Sequence, residues 1–161
     1  MVNDAALSNL KTYYDALEGD AAAILKAFDD ARTTRLISDE IEWIEPFGTM
    51  HGADAVIRDL FQSHTQAFSH LFFRADRIYS TRSTSACVIG RSGGTLVTGA
   101  NLSGQFVHIW DFDDSTAIRM TTFAEDGTMQ RSLGLDPAAD MAETMGALMA
   151  AMAAMNETGE G

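Results

Sequence analysis

Apolar residues recur with helical spacing near the start of the chain and with strand spacing through its second half. Leu7, Leu10, Tyr14 and Leu17, flanked by Ala6 and Tyr13, lie three or four apart, which puts them along one side of a helix over residues 4–17. Gly19 interrupts, and Asp20 is placed to cap a second helix over 21–28. Residues 41–45 alternate instead: Ile41, Trp43 and Glu45 share one face of a strand, Glu42 and Ile44 the other. Pro46 lacks an amide donor and holds Glu45 extended, so this strand is expected to stop there. A third helix is expected over 52–68, with Ala55, Val56, Leu60, Phe61, Thr65 and Phe68 as its apolar stripe.

Strand-like segments follow. Residues 71–79 and 85–89 are rich in aromatic or β-branched side chains, and Gly93-Gly94 predicts a turn before a short strand at 96–98. The stretch 105–114, QFVHIWDFDD, places Phe106, His108, Trp110 and Phe112 on one face and Val107, Ile109 and Asp111 on the other. Apolar side chains on both faces mark a central strand covered on both sides. It should form an antiparallel hairpin with 117–125, and Asp126-Gly127 closes that region. The order, helices followed by antiparallel strands, is an α+β plan with helices on one face of a sheet.

The tail changes character. Asp136-Pro137 is a helix start, and Met141, Met145, Leu148, Met149, Met152 and Met155 form a stripe beyond it. The expected division is a domain over 1–135 and a Met-rich helical extension of the same domain over 136–161. Such a face packs into core space, meets a partner subunit or covers an apolar opening.

Composition narrows the class. At 161 residues, 46% of them hydrophobic and 21% charged, the chain fits one globular domain. Eleven basic against 23 acidic residues leave a net charge of −12, which repels phosphate backbones and anionic lipid. No nucleic acid and no membrane partner is therefore expected. The single Cys87 asks for no oxidising compartment, and no stretch is long and uncharged enough to span a bilayer, so the expected location is cytoplasmic. His51, His64 and His70 lack metal-ligand spacing, and Gly90, Gly93 and Gly94 do not follow the dinucleotide pattern. No metal or cofactor is called for.

The segments YYDALEGD, IEWIEPFGTMHGADAVIRDLF and TGANLSGQFVHIWDFDDSTAIRMTTFAEDG, spread over about residues 7–127, resemble recurring motifs of the SnoaL-like branch of the nuclear transport factor 2/ketosteroid isomerase superfamily. The resemblance implies a cone-shaped, barrel-like α+β domain, with three helices against a strongly curved antiparallel sheet enclosing an apolar cavity, commonly as a homodimer. Members include ketosteroid isomerases, polyketide cyclases, dehydratases and proteins that only bind or associate. In the isomerases a carboxylate abstracts a proton beside a carbonyl while hydrogen-bond donors hold the enolate oxygen. Matched to that pattern, Glu45 stands for the base aspartate before a proline. Tyr13, or Tyr14 in the other register, stands for the donor tyrosine. His108 falls where the isomerases place a protonated carboxylic acid, and it is similar to the cavity histidine of the polyketide cyclases.

The candidate catalytic residues are thus Glu45, His108 and Tyr13, and the candidate ligand-contacting residues are Tyr14, Trp43, Phe61, Phe73, Trp110 and Met120. Independently of the family, Glu45 and His108 each lie in phase with the aromatic face of their own strand, an expensive place for a polar group unless it is paired or functional. Bland readings stand beside these: Glu45 as a solvated strand end, His108 as a core histidine bonded to Tyr13, both tyrosines as helix-packing aromatics. Two functions remain open. One is a cofactor-independent isomerase, cyclase or dehydratase acting by proton transfer on a small hydrophobic carbonyl compound; the other is a non-catalytic small-molecule-binding or dimerisation module. Val107 and Ile109 face away from the proposed cavity, which predicts a homodimer through the outer sheet face.

Overall fold

Helix α1, Asp4–Ala16, begins where the Asn3 side chain accepts a hydrogen bond from the Ala6 amide at 2.8 Å, and it buries Ala6, Leu10, Tyr13 and Tyr14. In the computed structural model residues 2–46, 48–81 and 84–124 are described, without the side chains of Ser63, His64 and Ala124. After α1 comes the two-residue strand β1, Glu18–Gly19, and Asp20 then caps helix α2, Ala21–Thr33, accepting from the Ala23 amide at 3.0 Å. α2 runs further than the expected 21–28 because Ala31 continues the buried stripe of Ile24, Ala27 and Phe28. Its charged side chains pair toward the surface, Lys26 with Asp30 and half-buried Arg32 with Asp39 and Asp54.

Strand β2, Ile37–Glu45, ends before Pro46 as expected, and a short strand β3, Gly48–His51, folds back on it. The third helical region consists of α3, Ala53–Val56, a π-helical segment Ile57–Phe61, and α4, Gln62–Ala67. Phe68 then opens strand β4, Phe68–Ser80, which is followed by β5, Ser85–Leu96, β6, Asn101–Asp113, and β7, Thr116–Ala124. The expected Met-rich helix, the 1–135/136–161 division and the Asp126-Gly127 turn lie outside the described residues.

Among the described residues, seven strands form one sheet in the order β1-β4-β5-β6-β7-β2-β3, with β6 central. Two expectations need correction. The sheet is mixed, not antiparallel: β2 lies parallel to β7, with Trp43 opposite Met120 and Ile44 opposite Thr121. A tight turn forces the antiparallel sense of β6 and β7, but no turn links β2 to β7, so nothing local sets their relative direction. The sheet is also open, with β1 and β3 at its two ends, and does not close into a barrel.

A further correction concerns the glycines. Gly93-Gly94 does not turn the chain but lies inside β5, together with Gly90. Opposite them β4 is irregular, between Phe68 and His70 and between Ala75 and Arg77. A Cβ on Gly90 would stand 2.1 Å from the Arg74 carbonyl oxygen, and one on Gly94 equally close to that of His70. These glycines let two backbones approach more closely than any side chain permits.

Burial along β6 follows the expected alternation. Phe106, His108, Trp110 and Phe112 are buried, whereas Val107, Ile109 and Asp111 are half-buried. The helices supply the cover on the first face: Tyr13 and Tyr14 meet Trp110, and Phe28 and Phe61 meet Trp43. On the opposite face, Tyr79 and Ile89 remain exposed among the described residues. No helix of the described residues is long and apolar enough to cross a membrane.

Candidate functional site

Strand register brings the polar residues into one row. Across the sheet, Val88 of β5 is opposite His108, and His108 is opposite Thr122 of β7. Glu45, one residue beyond the Ile44–Thr121 pair, accepts from Thr122 Oγ1 through Oε1 at 3.0 Å. The row below is apolar, running Ala86, Trp110, Met120 and Trp43. Helix α1 lays Tyr13 and Tyr14 over both rows. Tyr13 meets the Trp110 ring edge-on at 5.8 Å, and Tyr14 lies 5.8 Å from the His108 ring.

The hydrogen bonds are few and buried. The Trp110 indole donates to the Tyr14 hydroxyl at 2.9 Å, and that hydroxyl lies 2.5 Å from His108 Nδ1. Glu45 Oε1 accepts from the Trp43 indole at 2.8 Å as well as from Thr122. Phe106 stacks on the His108 ring, with centroids 4.1 Å apart. Among the described residues, the Tyr13 hydroxyl, His108 Nε2 and Glu45 Oε2 have no hydrogen-bond partner. Tyr13 is only 5% exposed and His108 7%, so water is a poor substitute for these partners.

Such surroundings oppose charge. Burial pushes the Glu45 carboxyl up to about 7, against the lowering effect of its bonds from Trp43 and Thr122. Burial also lowers His108 to about 3, so its ring is neutral near pH 7. The Tyr13 hydroxyl is held well above the ordinary phenol range, by burial first and then by the nearby Glu45 charge. Tyr14 is raised too, by burial and by Tyr13, with Glu45 contributing less.

The structure therefore brings Tyr13, Tyr14, Glu45, His108, Trp43, Trp110 and Met120 together. Phe61 joins through its contact with Trp43 at 6.0 Å, while half-buried Phe73 reaches the group only through Phe106, 6.1 Å away. The hydrogen bond to His108 belongs to Tyr14, not to Tyr13 as the core-histidine reading had it. Two members were missed in the sequence, Phe106 and Thr122. Both carried a signal, since Phe106 is in phase with His108 on β6 and Thr122 with Met120 on β7. His51 and His70 are exposed, and among the described residues no group of three or more His, Cys, Asp or Glu side chains is placed to hold a metal ion.

This α+β domain, with helices covering one face of a mixed sheet, has the NTF2-like fold. The chain belongs to the family of the SnoaL-like domain, whose model matches residues 10–120. An NTF2-like protein of unknown function from Burkholderia pseudomallei is 19% identical, superposes with a TM-score of 0.64, and covers 81% of this chain and 98% of its own. A putative SnoaL-like polyketide cyclase from Jannaschia sp. is 12% identical, with a TM-score of 0.64 over 84% of this chain and 96% of its own. TerC, co-crystallised with polyporic acid, is 17% identical, with a TM-score of 0.61 over 81% of this chain and 99% of its own. No curated protein sequence matches the chain at a significant level.

Proposed function

We propose that the chain holds a small hydrophobic carbonyl compound against Tyr13, Glu45 and His108 and moves a proton on it without a cofactor, as an isomerase, cyclase or dehydratase. The observation that carries this reading is Glu45, a carboxyl held among apolar rings by the Trp43 indole and Thr122, where burial pushes it up toward about 7, a range that suits a general base at neutral pH. In the proposed reaction Glu45 takes the proton from the carbon beside the carbonyl. The electron pair of that C–H bond moves toward the carbonyl oxygen, where the Tyr13 hydroxyl and His108 donate hydrogen bonds. The proton then returns from Glu45 to a carbon of the substrate, which leaves the enzyme unchanged. Trp43, Trp110, Met120, Phe61, Phe73 and Tyr14 are the apolar surround, and a cone-shaped cavity between helices and sheet belongs to this reading. Support for the ligand class comes from two proteins of the same fold, the putative polyketide cyclase and the protein crystallised with polyporic acid, a hydroxyquinone.

The test uses 2-tetralone, an enolisable aromatic ketone, in deuterium oxide. The protein should speed deuterium uptake at the carbon beside the carbonyl. The rate should fall tenfold per pH unit below pH 7, as Glu45 takes up its proton, and level off above. Glu45→Gln should lose roughly a hundredfold. Exchange no faster than in buffer overturns catalysis. One observation favours the second reading, a non-catalytic binding module: His108 Nδ1 is already engaged by Tyr14, as in a structural histidine. Quenching of tryptophan fluorescence by polyporic acid without any exchange would select it.

The proposal extends to a homodimer through the outer sheet face, supported by Ile89, Val107 and Phe123 lying side by side there. Light scattering at micromolar concentration should give twice the chain mass of 17.4 kDa, and a single chain mass refutes the dimer.

A further inference from the structure

We infer that Trp110 and Tyr14 are positioning residues that lock His108 with its ring proton on Nε2, making it a fixed hydrogen-bond donor toward a ligand oxygen. Only the identity of that ligand rests on the function proposed above.

The direction of donation follows from the chemistry of three groups. An indole N–H can only donate, so in the 2.9 Å contact the Tyr14 oxygen is the acceptor. Tyr14 has one hydrogen left to give, and His108 Nδ1 is the acceptor within reach, at 2.5 Å. The reverse arrangement, Nδ1–H donating to Tyr14, strands two groups. The Tyr14 hydrogen would have no acceptor at a residue 2% exposed, and Nε2 would be a bare buried acceptor. With Nε2 protonated, a single N–H is left over. The doubly protonated ring is opposed by its surroundings, with Phe106 stacked at 4.1 Å and Tyr14 beside it.

Donation therefore runs from Trp110 to Tyr14 to His108 and leaves the ring on the side away from Tyr14. The left-over Nε2–H shares its sheet row with Thr122 and Glu45. A ligand that satisfies it must present an acceptor, a carbonyl or enolate oxygen, and one presenting only N–H or ammonium donors leaves it bare. The indole strengthens this direction by occupying a lone pair of the Tyr14 oxygen. Without it, that oxygen is free to accept from Nδ1–H, and the reverse arrangement competes more closely.

The experiment is a long-range 1H–15N correlation spectrum of the 15N-labelled full chain at pH 7. His108 should show a protonated Nε2 and a bare Nδ1. Trp110→Phe, which keeps a ring and removes the indole donor, should convert this to a mixture of both tautomers. Polyporic acid affinity should drop in proportion to the Nε2–H fraction lost. A wild-type spectrum with Nδ1–H, or with both nitrogens protonated, overturns the lock even if the variant does not fold. An unchanged Nε2–H population in folded Trp110→Phe overturns the role of Trp110. If the wild-type tautomer is as expected but polyporic acid moves neither nitrogen, the lock holds and the proposed ligand class is what fails.

Discussion

Trp110→Ala lowers the unfolding free energy by roughly 4 kcal/mol, the cost of emptying a large, wholly buried aromatic site. Trp110 is 0% exposed, and its ring stands edge-on to Trp43 at 5.6 Å, to Tyr13 at 5.8 Å and to Tyr14 at 6.3 Å. Its neighbours sit on three separate elements, α1, β2 and β7, so they cannot all move in to fill the space. In a domain of this size each kcal/mol is worth roughly 2–4 °C, so Tm should fall by about 10 °C. Urea unfolding followed by circular dichroism checks it, with the midpoint moving at an unchanged slope. A loss below about 1 kcal/mol would mean that the site collapses freely and that the aromatic cluster is not the centre of the core.

Glu45→Gln has the opposite sign and depends on pH. The folded protein holds the Glu45 proton up to about pH 7, the unfolded chain only to its ordinary value of 4.5. Between these values the native state binds one proton more, so stability falls as pH rises through the window. Above it the wild type carries a penalty of roughly 3 kcal/mol. Glutamine keeps the oxygen that accepts from Trp43 and Thr122 and has no charge to bury. At pH 8 the variant should therefore be more stable than the wild type by roughly 2–3 kcal/mol, and at pH 4 the two should coincide. His108 leans the other way: with its pKa lowered to about 3 from 6.5, it costs stability as pH falls through that range. The two slopes cancel between 4.5 and 6.5, so the wild-type profile should be flat there while that of Glu45→Gln still rises. Denaturant midpoints at five or six pH values would show it, and identical profiles would mean that Glu45 titrates as an exposed group.

Much of this was legible in the chain because burial and period coincide. The alternation in β6 assigned Phe106, His108, Trp110 and Phe112 to one buried face, and Pro46 and Asp20 marked the ends of β2 and the start of α2. The expectations that failed depend on what lies alongside a strand. The Gly93-Gly94 pair has the composition of a turn, but its meaning depends on how closely β4 approaches, which a linear pattern does not contain. The parallel pairing of β2 with β7 was hidden for the same reason, as no local turn encodes it. In the candidate site, the strand phases of Glu45 and His108 could be read, whereas the choice between adjacent Tyr13 and Tyr14 could not. Both lie on the broad buried side of α1, and only the position of Trp110 decides which hydroxyl reaches the histidine.

The parallel docking of β2 also sets an order in time. Thr122 and Glu45 are 77 residues apart in the sequence, and their bond depends on the last described strand reaching one made early. Neighbouring hairpins from β4 to β7 can zip up by short loop closures, but β2 must wait for a distant edge. On a growing chain the glutamate is consequently expected to spend most of synthesis in water, as an ordinary ionised carboxylate. Its unusual chemistry is expected only at the closing step, when β7 docks and the surrounding rings shut out solvent.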